Sequence, residues 1–261
     1  MGFEIKKPLG VGGINSNITV SQNRVGFGNA YATDTFQTSS VNRYLTEASI
    51  KHAIATNSNI KTILKEMGAP AKLNMKELND LTTGHAKATQ DIAAGIIANL
   101  PRGLREHVNV KSVKDAAILH DVGKVLIPAE ILNKAGKLDE KEQKIMHRHS
   151  ELGYEILKST DIDTRTLHLI KYHHQNSSHT GYPAVKQDFF ADINLQILSA
   201  SDKYSALTEE RTYKAAMDSD KALAILYKDV KDGNLHPFVF KALYDYAKTP
   251  SKQNLQQVQM A

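Results

Sequence analysis

Seven side chains spread over about half of this 261-residue chain have the types needed to hold metal ions: His85, His120, Asp121, His149, His173, His174 and Asp202. Two pairs are adjacent, His120-Asp121 and His173-His174. Imidazole nitrogens mixed with carboxylate oxygens suit iron, manganese, zinc or nickel rather than the all-oxygen shell of calcium. Successive helical residues point about 100° apart, so one member of an adjacent pair can ligate a metal while the other reaches a second metal or bridges the two. The chemistry to expect is hydrolysis at a metal centre.

These donors need helices to bring them together, and the apolar spacing supplies helices. Ile50, Ala53, Ile54, Ile60, Ile63 and Leu64 give one interrupted helix or two over 45–67, stopped by Gly68 and Pro70. Leu78, Leu81, His85, Ala88, Ile92, Ile96 and Leu100 predict a single long helix over about 75–100, with His85 on its buried side. Further helices are expected at about 111–120, 139–158, 163–175, 192–207, 219–230 and 236–247. The helix at 139 has a start signal, because Asp139 and Glu142 are spaced so that each side chain satisfies the other's backbone amide. In AAILHDVGK the run Ala116 to Leu119 carries His120-Asp121 inward, Gly123 lets the chain leave, and Lys124 follows closely enough to meet an anionic substrate or leaving group. His149 shares a face with Ile145, Leu152 and Ile156, whereas His147 falls on another face and is expected in solvent. His52, His107, His168 and His236 are read as structural or surface residues.

A lone inward histidine is more often a hydrogen-bonded core residue than a ligand, and a lone buried aspartate more often a cap or ion-pair partner. Seven on the inward faces of separate helices change that balance, because burying them without a cation leaves several costly polar groups to satisfy.

The composition bounds the rest. Cysteine is absent, which removes disulfides, thiolate zinc sites and a cysteine nucleophile and fits a cytoplasmic setting. No stretch approaches the ~20 apolar residues of a membrane span, and no signal peptide is visible. The net charge of +5 favours anionic partners, but the lysines are scattered, so a nucleic-acid polymer is not expected. Residues 1–44 read as a polar, weakly ordered extension, 45–70 as a helical segment, 71–250 as the catalytic domain and 251–261 as a tail. The first 70 residues are candidates for regulating the site, for forming a homodimer, or for neither.

The motifs HDVGK at 120–124, IPAEILNKAGKL at 127–138, HSELGYEIL at 149–157, HHQNSSHTGYP at 173–183 and SDKYSALTEERTYK at 201–214 resemble the HD-GYP family, a subgroup of the HD-domain metal-dependent phosphohydrolases. The resemblance runs in order from about His85 to residue 214. It implies an all-α HD-domain helical bundle holding two or three metals, commonly iron or manganese, which activate a bridging water for attack on cyclic di-GMP. By position all seven donors match metal ligands, with Asp121 the expected bridge. Lys124 matches a lysine beside the cluster, Arg211 and Lys214 match residues that contact substrate phosphates, and Tyr182 matches a substrate-side position. Gly181-Tyr182-Pro183 is expected to form a stiff loop, with glycine supplying an unusual dihedral, that presents an aromatic ring or a docking surface for a protein partner.

Several positions depart from the family pattern. Gln175, Ser178 and His179 stand where the family has a glutamate and then Asp-Gly. The loss of a carboxylate at Gln175, which could orient a histidine ligand, is expected to weaken or retune the metal site. His179 is expected in solvent. Leu81 replaces the glutamate of three-metal members, so two divalent ions are expected, iron or manganese before zinc, nickel or cobalt. Ser205 replaces a frequent aspartate. The function expected is hydrolysis of cyclic di-GMP to linear pGpG and onward to GMP. The alternatives are another cyclic dinucleotide or nucleotide substrate, or a binding module without turnover.

Overall fold

In the computed structural model, residues 45–81, 83–210 and 216–249 are described. The expected extension at 1–44, the tail at 251–261, and Arg211 and Lys214 lie outside the described residues.

Local signals divide the N-terminal part into α1 (Glu47–Thr56) and α2 (Ser58–Met67). Thr46 and Ser49 cap α1 reciprocally, and Asn57 ends α1 while its side-chain oxygen accepts the first amides of α2. The chain continues through α3 (Met75–Asp80), α4 (Gly84–Asn99), α5 (Arg102–Arg105) and α6 (Val110–Leu119). A tight 3-10 turn at Val122–Leu126 leads to α7 (Ala129–Leu132), α8 (Glu140–His147), α9 (His149–Leu157) and α10 (Thr164–Tyr172). The last elements are α11 (Ile193–Thr208), α12 (Ser219–Lys231) and α13 (Pro237–Lys248). The described residues contain no strand, so the fold is the all-α bundle expected.

Two long helices expected from periodicity are broken. The 75–100 helix stops at Leu81, which turns into the core at 5% exposure, and restarts after an extended Thr83 at Gly84, whose φ is +48°. His85 therefore sits in the first turn of α4, at the rim of the bundle, with its side chain 20% exposed. The 139–158 helix breaks at Arg148 (ψ −12°), where the amide bonds back three residues to Ile145 instead of four. Periodicity misses such breaks because both halves keep the same apolar spacing. The Asp139–Glu142 capping box is present as expected.

Helix α4 lies at the centre and packs against α6, α11 and α13. Helix α6 packs on α10, and α9 packs on the 3-10 turn and on α10. Ile96, Leu119, Leu152, Ile170, Leu195 and Ile197 are each less than 2% exposed and form the continuous core among these helices. The donors sit where α4, α6, α9, α10 and α11 converge. Among the described residues no helix is long and apolar enough to cross a membrane.

Candidate metal centre

The helix ends set the orientation of the donors. A helix terminus leaves carbonyls without amide partners, and three histidines use them. His120 Nδ1 lies 2.9 Å from the Ala117 carbonyl, His149 Nδ1 2.7 Å from Met146 and His173 Nδ1 2.7 Å from Ile170. Only a protonated Nδ1 can donate to a carbonyl, so each neutral ring is held in one tautomer with the Nε2 lone pair pointing into the cluster.

Those lone pairs converge. His149 Nε2 and His173 Nε2 are 3.3 Å apart, an acceptor facing an acceptor. His120 Nε2 is fully buried and makes no directed hydrogen bond, although Asp121 Oδ2 lies 3.2 Å away. Facing lone pairs and an orphaned buried nitrogen are costly unless a cation lies between them. Three donor groups have ligand atoms within 4.8 Å of one another: His85, His120 and Asp202; His149, His173 and His174; and His120, Asp121 and His173. Asp121 reaches both ends, with Oδ2 3.9 Å from His85 Nε2 and Oδ1 3.5 Å from His149 Nε2. Asp202 Oδ1 lies 2.9 Å from His85 Nε2, and its Oδ2 lies 3.8 Å from His174 Nδ1. The structure thus brings all seven sequence-derived donors together, and the donor set fits divalent metal ions.

The electrostatics point the same way. Burial pushes His149 down to about 3 and His174 down to about 4, and it holds His173 well below the usual imidazole range. Burial opposes ionisation of both carboxylates, but His120, Lys124 and His149 outweigh it at Asp121, and His85, His120 and His174 outweigh it at Asp202. Both carboxyls are held below their ordinary values. At His120 burial opposes the charged form, but Asp121 and Asp202 raise the pKa, so a proton is drawn to where a cation would sit. Neutral His149, His173 and His174 beside two anionic carboxylates favour a cation.

Two glycines make this geometry possible through close approach. A Cβ on Gly123 would stand 1.9 Å from the His149 carbonyl oxygen, so only glycine lets the turn after Asp121 lie against α9. A Cβ on Gly181 would stand 2.0 Å from the His174 carbonyl oxygen. The positive dihedral expected at Gly181 occurs instead at His179, whose φ is 58°.

The loop after His174 corrects the solvent positions expected for His179 and His147. Gln175 is buried, and its side chain hydrogen-bonds within its own loop and to no histidine. Its Oε1 accepts the amides of Asn176 and Gly181, and its Nε2 donates to the Pro183 carbonyl at 2.9 Å. It ties the loop together, and an amide serves this task because it both donates and accepts. His179 is half-buried, with Nε2 2.9 Å from the Phe189 carbonyl. His147 is not in solvent: the break at Arg148 turns it onto Tyr182, with ring centroids 3.7 Å apart and planes 8° apart. Tyr182 also packs on His174 and meets His149 edge-on, so it buttresses two donors. Burial, then the charges of Asp202 and Asp121, push its hydroxyl pKa up.

Lys124 Nζ lies 2.6 Å from Asp121 Oδ2, putting a positive charge at the edge of the cluster. Sequence reasoning missed Glu209, whose Oε2 is 3.1 Å from His85 Nδ1. Its signal was present in helical spacing, because residues 202, 205 and 209 share one face.

A family model of the HD domain matches residues 75–237. Over 137 residues the chain is 37% identical to the "Cyclic di-GMP phosphodiesterase response regulator RpfG" of Xanthomonas campestris, covering 51% of this chain and 35% of that protein. Over 131 residues it is 34% identical to the "3'3'-cGAMP-specific phosphodiesterase 3" of Vibrio cholerae, covering 50% and 28%. Among solved structures, the HDG"Y"P protein Bd1817 from Bdellovibrio bacteriovorus superposes with a TM-score of 0.54 at 16% identity, over 81% of this chain and 64% of that one, a likeness of fold. The chain belongs to the HD-domain family and, within it, to the HD-GYP type. It spans about a third of the length of the two curated relatives.

Proposed function

We propose that this chain hydrolyses cyclic di-GMP to linear pGpG, and onward to GMP, at a centre of two divalent ions, iron(II) or manganese(II). The observation that carries the reading is the pair of donor sets, His85–His120–Asp202 and His149–His173–His174, with Asp121 between them. Leu81 is buried and offers no oxygen, which supports two ions rather than three. Ions held there would supply Lewis acidity, acidifying water and drawing charge off the phosphoryl oxygens.

The residues have separate tasks. Asp121 presents one carboxylate oxygen to each donor set and keeps the two sets in register. Lys124, held at Asp121 by its 2.6 Å ion pair, is assigned to neutralise a phosphate oxygen and to supply a proton to the departing ribose oxygen. Tyr182, clamped by His147, closes the side of the site beside His174. Arg211 and Lys214 are assigned to the substrate phosphates through the family motif alone. In the reaction water bonds to phosphorus, the bond from phosphorus to the 3′ oxygen breaks, and that oxygen leaves with a proton.

A second reading keeps the chemistry and changes the substrate to another cyclic dinucleotide. The loop from Gln175 to Thr180 favours it, as does the name of the Vibrio relative. A third reading, nucleotide binding without turnover, including docking of a protein through the Gly181–Pro183 loop, is separated by the same experiment. Protein purified without oxygen and loaded with iron(II) or manganese(II) is offered cyclic di-GMP, 3'3'-cGAMP and cyclic di-AMP, and the products are resolved by chromatography. Linear pGpG, lost on Asp121→Ala, supports the first reading. Turnover of another dinucleotide alone supports the second, and binding without product supports the third.

A further inference from the structure

The four histidines with assigned orienting partners are not oriented alike. His120, His149 and His173 each follow a helical turn and donate Nδ1–H to the carbonyl three residues back. His85 stands in the first turn of α4, directly after the extended Thr83. Its Nδ1 is met from across the bundle by two side chains of neighbouring turns of α11: Ser205 Oγ at 3.0 Å and Glu209 Oε2 at 3.1 Å. The Glu209 amide bonds the Ser205 carbonyl at 2.9 Å, which carries the helical repeat one residue past Thr208 and keeps the two side chains on one face.

We propose that Glu209, assisted by Ser205, is the positioning carboxylate for His85, fixing the tautomer and pitch of the ring that donates to the His85–His120–Asp202 end of the cluster. A neutral imidazole has one N–H, and His85 has a carboxylate at each nitrogen, Glu209 at Nδ1 and Asp202 at Nε2. Two acceptors gathered at Nδ1 hold the proton there, leaving the Nε2 lone pair beside Asp202 Oδ1, where a cation satisfies both. Glu209 itself is no ligand in this arrangement: it reaches the far side of the ring from Asp202 and belongs to none of the converging donor groups. The arrangement also accounts for Ser205. The carboxylate absent at 205 is supplied from the next turn, where the longer glutamate side chain spans the added distance. A carboxylate makes the ring more electron-rich than a carbonyl does, so this end of the cluster binds its ion through a stronger histidine donor.

This inference rests on the two-metal reading, and the test separates them. Manganese(II) is titrated into the metal-free full chain, with free ion followed by electron paramagnetic resonance and folding by circular dichroism. Wild type is expected to take up two ions. Glu209→Ala is expected to lose about 10- to 100-fold in affinity for one ion while keeping the other, with helical content unchanged. Adding Ser205→Asp to Glu209→Ala returns a carboxylate to the same nitrogen and restores the weakened site. A wild-type chain that takes up no manganese sinks the metal reading. Two ions in wild type with unchanged affinities in Glu209→Ala, or an equal loss at both sites, overturns the role of Glu209 alone.

Discussion

Gly123 lies against the carbonyl of His149 so closely that a single methyl on its Cα would stand 1.9 Å from that oxygen. This contact joins the turn carrying Asp121 to the helix carrying His149, and it sets the span that Asp121 crosses. The atom in the way is backbone within α9, which cannot swing aside as a side chain would. Gly123→Ala should destabilise the fold by about 3 kcal/mol, the upper end of ordinary overpacking, and should also lower metal content. Thermal unfolding and metal analysis on the same preparation check it. A variant with wild-type melting and two ions would show that the turn has another way to pack.

Lys124 and Asp121 are bonded to each other but should fail differently. Asp121 contributes to both donor sets, so Asp121→Ala should remove turnover and metal loading together. Lys124→Met removes the charge proposed to meet the substrate but no metal donor. It should keep both ions and lose about 10²- to 10³-fold in kcat, the range for removing one group that stabilises developing charge. Loss of metal from Lys124→Met would move this lysine into the scaffold of the centre.

Gln175 should not tolerate the carboxylate that its position has elsewhere in the family. In Gln175→Glu the group facing the Pro183 carbonyl becomes an acceptor opposite an acceptor, costing about 1–3 kcal/mol. The Gln175 side chain hydrogen-bonds to none of the metal donors, so metal affinity should hold while KM rises with the loosened loop. Tighter metal binding in Gln175→Glu would contradict the contacts described for this side chain.

Acid should destabilise the metal-free protein. His149 at about 3, His174 at about 4 and the lowered His173 remain neutral when folded, while the same side chains in the unfolded chain protonate near ~6.5. The unfolded state therefore binds more protons between pH ~6.5 and ~4, and stability falls as pH falls through that window. His120 has the opposite sign, since its raised pKa contributes stability below ~6.5 that is lost as pH rises. Among the histidine donors three lowered groups against one raised leave a net loss on acidification, to which the lowered His147 and His168 add, and urea unfolding at pH 7.5 and pH 5 should show it. Manganese(II) at 100 times its Kd should add about 2.7 kcal/mol per site at the higher pH, and less at pH 5, where protons compete for the same nitrogens.

Residue type and apolar spacing alone indicated an all-α fold and seven donors, because burial of a helix face and the donor chemistry of imidazole and carboxylate are properties of the side chains themselves. The caps were equally legible: Asn57 and the Asp139–Glu142 box act within a few residues of their own position. Breaks at Leu81–Thr83 and at Arg148 were not, since apolar spacing runs through them unchanged and the distinction depends on what each half packs against. Those breaks decide that His85 sits at a helix start and that His147 stacks on Tyr182. Gln175 and His179 find their partners within their own irregular loop, up to 8 and 10 residues on, and Glu209 meets His85 across 124 residues of chain. Helical spacing could bring Glu209 to the face of Asp202, but only the packing of α11 against α4 determined which ring nitrogen that carboxylate would meet. Pairwise contact between distant segments depends on how whole helices dock, and that information is shared among all the core side chains rather than carried by the residues that touch.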